Sequence, residues 1–148
     1  LRASIAAFET SARSLAPDAW LRRVTEWAPR DVAAHLVGWN ALTVEGCQAI
    51  QRGAAPGYLA GEADDFQQVN ATSVARYDAL DRDTLLDQLR ATADELLVYL
   101  ERLDPADWDR DYGVRGLSGR PATIRVEVEP LIADYRGHAD EIAAWAQS

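Results

Sequence analysis

The chain has few of the residues on which several common protein classes depend. Its 148 residues include one cysteine, Cys47, so an internal disulfide is excluded, as in most proteins of the reducing cytoplasm. No apolar run approaches the roughly 20 residues of a membrane-spanning helix, and no segment resembles the apolar core of a signal peptide. We therefore expect a cytoplasmic chain with no membrane partner.

Lysine and methionine are absent as well. All 15 basic residues are arginine, and against 24 acidic residues they leave a net charge of −9. We find no clustered basic stretch of the kind that binds a phosphate backbone, and therefore predict no nucleic-acid partner. Because residue 1 is leucine, two interpretations of the start stay open: the chain begins inside a longer product, or modified methionines were dropped from it.

What the chain does have is helical periodicity. Its hydrophobic fraction is 48%, and its length suits one domain over residues 1–148 with a sizeable core. Apolar residues at three- and four-residue spacing predict five helices, over residues 3–15, 29–52, 66–80, 84–103 and 122–147. Four long amphipathic helices and one long crossover, which contains the extra helix 66–80, predict an all-α four-helix bundle.

Proline and acidic residues mark the expected helix ends. Pro29 and Asp31 suit the first turn of the second helix, and Asp83 is the predicted N-cap of the fourth. Pro130 is expected to bend the last helix. The alternation of apolar and charged residues over 124–128 also fits a strand, but a lone strand would have no partner in this chain.

Both histidines fall on helix faces that should be buried. His138 lies within the apolar stripe of the last helix, and Asp134 lies one turn before it on nearly the same side. His35 lies on the apolar face of the second helix. If these helices pack side by side, the three side chains converge as ligands for a divalent metal. The alternative is that each histidine is an ordinary core residue satisfied by a hydrogen bond, and the spacing alone leaves both interpretations open.

Three short motifs carry a resemblance to a known family. They are DVAAHLVGWN in the second helix, the spacing of Asn70 and Tyr77 in the third, and DYRGHADEI in the last. In these motifs the chain resembles the DinB/YfiT-like metal-binding four-helix bundles. Within that group it is similar to the mycothiol-dependent maleylpyruvate isomerase N-terminal domain and to the ClbS/DfsB-type proteins. The resemblance extends from about Ile5 to Trp145.

The resemblance implies a divalent metal, zinc or nickel, held by His35, Asp134 and His138. Asp134 is shorter than the Glu or His more usual there, so we expect a weaker site. Such a metal can activate a water or hold a low-molecular-weight thiol such as mycothiol as its thiolate. We therefore predict a metal-dependent enzyme acting on a small molecule, either a hydrolase of a small electrophile or a thiol-dependent transferase or isomerase. A non-catalytic ligand-binding or self-resistance protein is the alternative.

Several other side chains have two interpretations each. Four are predicted to contact a small-molecule ligand, with core packing as the alternative: Trp39, Tyr135, Asn70 and Tyr77. Asn40 is expected to be solvated, and Cys47 to be a small core residue. The segment 57–61, which contains Tyr58 between two glycines, is either a lid on the ligand or a cap on the bundle core. An isologous homodimer is the default expectation for the oligomeric state.

Overall fold

The structure, a computed structural model, describes residues 1–24, 26–59 and 66–146. These residues form five α-helices, which are α1 (Arg2–Ser14), α2 (Pro29–Gln51), α3 (Phe66–Tyr77), α4 (Arg82–Glu101) and α5 (Ile124–Ala146). Short 3-10 turns lie at Ala19–Leu21, Gly57–Leu59 and Pro105–Asp107. The described residues contain no β-strand, which confirms the all-α prediction. None of the helices that they form is both long and apolar enough to cross a membrane.

Helices α1, α2, α4 and α5 form the bundle, and α3 lies in the long crossover between α2 and α4. Helix α2 packs against α3, α4 and α5, while α1 packs against α5. The core between them is built from fully buried side chains such as Phe8, Leu36, Leu89, Leu96 and Ile124. Each such side chain stabilises the fold by roughly 1.5–3 kcal/mol relative to its exposed state. The predicted four-helix bundle with an extra helix in its crossover is thus confirmed.

Helices α2 and α4 begin where a side chain accepts a backbone N–H group that would otherwise lack a partner. Pro29 is the first residue of α2, and the Asp31 carboxylate accepts the N–H of Ala28 at 3.1 Å. The prediction that Asp83 caps α4 was wrong by two residues. Asp81 is the N-cap, because its extended backbone lets its carboxylate accept the N–H of Thr84 at 2.9 Å.

Helix α5 contains Pro130 in its interior and has helical structure on both sides of it. The strand interpretation of residues 124–128 is therefore excluded. Pro130 has no N–H and cannot donate to the carbonyl of Val126 one turn earlier. Both residues lie on the wall of a cavity. The missing backbone hydrogen bond of α5 is therefore on the side of the helix that faces the cavity and not the core.

Two glycines of α2 let neighbouring elements approach closely. A Cβ atom at Gly38 would overlap the hydroxyl of Ser73 on α3. A Cβ atom at Gly46 would overlap the carboxylate of Glu127 on α5. Glycine inside a helix is less favourable than alanine by about 1 kcal/mol. At both positions glycine lowers the stability of α2 as a helix, but it allows the side chain of Ser73 or Glu127 to approach closely.

A cluster of polar side chains is buried inside the bundle. The Asn40 side-chain amide donates to the Thr92 hydroxyl at 3.1 Å and to the Tyr135 hydroxyl at 2.8 Å, and Tyr135 in turn lies 3.0 Å from Asn40 Oδ1. Asn40 is fully buried, so the prediction that it is solvated was wrong. The reason is that α2 is surrounded by three helices, so a position off its most apolar stripe is still inside. Burial raises the pKa of Tyr135, which keeps its phenol a hydrogen-bond donor.

Candidate functional site

His35 on α2 and Asp134 on α5 face each other across the packed helices. His35 is only 4% exposed, and its Nε2 atom lies 3.4 Å from Oδ2 of the half-exposed Asp134. One turn further along α5, the ring of His138 has its centre 5.7 Å from the centre of the His35 ring. The three predicted ligand residues are thus neighbours. We call them the histidine end, because two of them, His35 and Asp134, line the cavity described below.

Hydrogen bonds assign the protonation of the His35 ring. The indole N–H of Trp39 can only donate, and it lies 2.8 Å from Oδ1 of Asn70, which identifies that atom as an acceptor oxygen. His35 Nδ1 lies 3.0 Å from the same oxygen, so Nδ1 carries a proton and donates to it. In the neutral ring the lone pair is then on Nε2. That atom is buried and has no hydrogen-bond partner among the described residues.

A lone pair on Nε2 facing a carboxylate oxygen is unfavourable, because both atoms are acceptors. A second proton on His35 relieves the contact by forming an ion pair with Asp134, and a cation between the two atoms relieves it as well. A neutral imidazole oriented by an acceptor on its other nitrogen is the usual state of a metal-bound histidine. His138 shows a similar arrangement, because its Nδ1 lies 3.1 Å from the Glu141 carboxylate and leaves Nε2 as the second ring nitrogen.

The fit of this site to a metal ion rests on the types of donor atom present and on the close approach of His35 to Asp134. Within residues 1–24, 26–59 and 66–146, no group of three or more His, Cys, Asp or Glu side chains is already arranged to hold a metal ion. His138 is therefore a neighbour of the close pair and does not yet form a third corner with it. The indole of Trp27 lies 4.9 Å from the His35 ring and 6.3 Å from the His138 ring, centre to centre, and covers both.

A cavity of about 320 Å³ opens beside the histidine end, between α2, α3, α5 and the turn Gly57–Leu59. This volume is within the range of small-molecule sites. Trp39, Phe66, Pro130 and Leu131 supply much of its apolar wall. Asn70, which orients His35, also borders the cavity, so a ligand in it would lie next to the histidine end.

Glu127 and Tyr58 form a second polar region of the same cavity, which we call the glutamate end. The Tyr58 hydroxyl donates to Glu127 Oε1 at 2.6 Å. Glu127 precedes Asp134 by seven residues on α5, so the two ends are about 10 Å apart along the helix. Burial raises the pKa of Glu127 above its ordinary value, and the hydrogen bond from Tyr58 acts against this rise. Burial and the Glu127 carboxylate together raise the pKa of Tyr58.

The structure brings some of the predicted ligand-contacting residues to the cavity and not others. Trp39 and Asn70 line it. Tyr135 is fully buried in the bundle core, and Tyr77 borders a separate groove between α2 and α3. Tyr58 lines the cavity, while residues 60 and 61 of the proposed lid or cap lie outside the described residues.

Cys47 is fully buried, which confirms it as a core residue. Burial, followed by the nearby Glu127 carboxylate, raises the pKa of its thiol to about 12. The thiol therefore stays protonated near neutral pH and is a poor nucleophile.

Sequence reasoning missed Glu127, Phe66 and Thr43 as cavity residues. Two signals pointed to Glu127. It lies two helical turns before Asp134 and so shares its face, and Gly46 is an interior helix glycine that makes room for a neighbour. No comparable signal was available for Phe66 or Thr43, because their position depends on how α2 and α3 pack.

Solved structures of the same fold include proteins of different roles. The colibactin self-resistance protein ClbS, in complex with a dsDNA, matches with a TM-score of 0.80 at 13% identity and covers 99% of this chain and 90% of that one. The sibling lethal factor precursor DfsB matches with a TM-score of 0.80 at 17% identity, over 99% and 90%. The mycothiol-dependent maleylpyruvate isomerase matches with a TM-score of 0.75 at 14% identity. The match covers 95% of this chain but 57% of the isomerase, so this chain spans little more than half of its length.

The exclusion of a nucleic-acid partner was wrong. It rested on the net charge of −9 and on the absence of a clustered basic stretch along the sequence, yet ClbS has the same fold and its structure is a complex with DNA. A net charge sums over the whole surface, whereas a phosphate backbone responds to the local arrangement of cationic side chains on one face. The total charge therefore does not exclude this class of partner for the fold.

The family assignment comes from the sequence itself. No curated protein matches the chain. The model of the mycothiol maleylpyruvate isomerase N-terminal domain matches residues 1–144, which include all five helices of the structure except the last two residues of α5. The chain therefore belongs to the mycothiol maleylpyruvate isomerase N-terminal domain family of DinB-like helical bundles.

Proposed function

We propose that the chain binds one divalent metal, zinc or nickel, through His35, Asp134 and His138, and acts on a small molecule held in the adjoining cavity. The observation that carries the proposal is the buried Nε2 lone pair of His35, which faces Asp134 Oδ2 at 3.4 Å without a hydrogen-bond partner among the described residues. A bound metal would supply Lewis acidity, which makes a water or a thiol a usable nucleophile near neutral pH.

The residues around the ligands have definable parts in this function. Asn70 accepts the Nδ1 proton of His35 and so directs Nε2 towards Asp134. Trp27 covers both histidine rings and limits the access of water. The apolar wall of the cavity holds the body of the substrate against the histidine end.

Within this proposal we infer two candidate reactions, a thiol-dependent transfer or isomerisation and the hydrolysis of a small electrophile. Family membership favours a thiol such as mycothiol as co-substrate. Mycothiol added to the cobalt-loaded protein should produce thiolate-to-cobalt charge-transfer absorption if the thiol reaction is correct. Unchanged spectra would favour the hydrolytic reaction, which needs no added thiol.

A second candidate is a self-resistance or ligand-sequestering protein without turnover. The observation that favours it is the apolar cavity, which resembles a binding site whether or not chemistry follows. The likeness to ClbS, a colibactin self-resistance protein, is consistent with it. Such a protein should saturate at one ligand per chain and release the ligand unchanged, which mass spectrometry of the bound and recovered ligand would show.

Elemental analysis of protein purified without added metal tests the central proposal. We expect zinc or nickel at close to one equivalent per chain, and a higher Tm when either metal is added to stripped protein. Asp134→Asn should lose this metal, while Asp140→Asn, an equivalent change at an exposed position of the same helix, should keep it. Metal-free protein whose Tm is unchanged by zinc and by nickel would contradict the proposal.

A further inference from the structure

Three aromatic rings from three separate elements meet at the cavity. Trp39 belongs to α2, Tyr58 to the turn Gly57–Leu59 and Phe66 to the start of α3. Their ring centres are 5.2 Å (Trp39 to Tyr58), 5.9 Å (Trp39 to Phe66) and 6.4 Å (Tyr58 to Phe66) apart. The angles between the ring planes are 79°, 43° and 51°, so the rings are not stacked in parallel. We call these three residues the aromatic box.

The carboxyl group of Glu127 lies on the wall of the same cavity, next to the aromatic box. Tyr58 belongs to the box and also donates its hydroxyl to Glu127. Glu127 forms no ion pair with any residue that the structure describes. Among the described residues, the carboxylate of Glu127 accepts a side-chain hydrogen bond from Tyr58 only, and this donor is neutral. The charge is therefore poorly compensated, because a charge removed from water requires an opposite charge to offset its lost hydration.

We propose that the aromatic box and Glu127 bind an organic cation, a quaternary or protonated alkylamine carried by the ligand of the cavity. The faces of aromatic rings are electronegative and attract such cations, most strongly where water is excluded. Glu127 supplies the full negative charge that the rings lack. This inference rests on the proposed function only in placing the ligand in the same cavity.

Uncharged apolar head groups and anionic head groups fit the glutamate end less well than a cation. An uncharged apolar group would cover the carboxyl of Glu127 without compensating it, and an anion would be repelled by it. The distance between the ends adds a second requirement. Because Glu127 and Asp134 are about two helical turns apart, the amine of the ligand should lie about 10 Å from the group that reaches the histidine end.

The probes for a test are choline and 3,3-dimethyl-1-butanol, which have the same shape and differ in the positive charge. Isothermal titration of the metal-loaded full chain should show choline binding about tenfold more tightly than its carbon analogue. Glu127→Gln should bring the two affinities together by weakening choline. The matched control is Glu129→Gln, which removes one negative charge at an exposed position of the same helix and should leave the preference intact.

Equal affinities of the wild-type chain for the two probes, or no choline binding at millimolar concentration, would overturn the inference. If Glu127→Gln unfolds, which circular dichroism would show, Phe66→Leu replaces it. Phe66 is 41% exposed, so its replacement should leave the bundle folded. We expect it to weaken choline binding about threefold, and an unchanged affinity would equally overturn the inference. Metal content is measured on every sample, so that a failed cation site is distinguished from a failed metal site.

Discussion

The two ends of the cavity are built on the same pair of helices, α2 and α5, in opposite ways. At the histidine end each helix contributes a polar side chain, and His35 and Asp134 approach to 3.4 Å. At the glutamate end α2 leaves space at Gly46, and the carboxylate of Glu127 from α5 occupies that space. A helix pair can thus form a polar site either by presenting two side chains or by leaving room for one. The predictions below test whether the two ends are separate.

The largest effect is expected from His35→Ala. It removes the buried Nε2 atom that we propose as a metal ligand. Zinc affinity should therefore fall by more than about 100-fold, because even a residue that only orients a ligand contributes 10–100-fold. Competition with a chromophoric chelator measures this. Choline affinity should be unchanged, and its loss in a folded variant would show that the two ends are one site.

Asn70→Ala should have the next largest effect. The Asn70 oxygen keeps the proton of the neutral His35 ring on Nδ1 and the lone pair on Nε2. Without this oxygen, zinc affinity should fall about 10–100-fold. Asn70→Asp keeps an acceptor at the same place and should retain most of the affinity in the same chelator competition. If aspartate is as harmful as alanine, Asn70 does not act by orienting His35.

Gly46→Ala is expected to act at the glutamate end alone. The added methyl group overlaps the Glu127 carboxylate, which must move away from Tyr58. We expect the preference for choline to disappear and the free energy of unfolding to fall by about 1–2 kcal/mol, since the overlap outweighs the gain in helix propensity. Urea denaturation and titration with both probes measure the two effects.

The control for this change is Gly137→Ala on α5, where an added Cβ meets nothing within 4 Å. It should stabilise the chain by roughly 0.4–1 kcal/mol, as expected for glycine replaced by alanine in an open helical position. If Gly46→Ala were stabilising to the same extent, Glu127 would not depend on the space that Gly46 leaves.

The smallest effect is a pH dependence of stability at the glutamate end. Burial raises the pKa of Glu127 in the folded chain above its ordinary 4.5. The folded chain therefore keeps a proton that the unfolded chain releases. The stability contributed in this way is complete below pH 4.5 and is lost as the pH rises through the raised value. Glu127→Gln cannot titrate, so its free energy of unfolding relative to wild type should increase over this interval.

Urea denaturation at a series of pH values measures that difference, with Glu129→Gln as the control that should follow the wild-type curve. Parallel curves for Glu127→Gln and wild type would show that Glu127 titrates alike in the folded and unfolded chains. That result would leave the histidine end unaffected, because none of its residues is changed.

The bundle and the shared face of Asp134 and His138 were predictable because they depend on local spacing. The approach of His35 to Asp134, 99 residues away, was expected only if α2 and α5 pack side by side, and from the family resemblance. Helical periodicity identified the five helices, and the one-turn separation of Asp134 and His138 placed them on one face. The glutamate end required contacts distant in sequence, since Tyr58 and Glu127 are 69 residues apart. Periodicity indicates which face of a helix is inward but not which neighbour it meets. For that reason the sequence did not show that Tyr135 lies in the core beside Asn40, or that Tyr77 borders a different groove.

The position of Asn70 couples His35 to the crossover. Asn70 belongs to α3, which is outside the four helices of the bundle and packs on α2 where Gly38 admits Ser73. Since α3 supplies the acceptor that directs His35 Nε2, docking of α3 and binding of the proposed metal at Nε2 would be thermodynamically linked, and each would strengthen the other by the same factor. The affinity for the proposed metal would therefore report how firmly α3 is docked. Gly38→Ala, which contacts no ligand atom, would lower that affinity by displacing the helix.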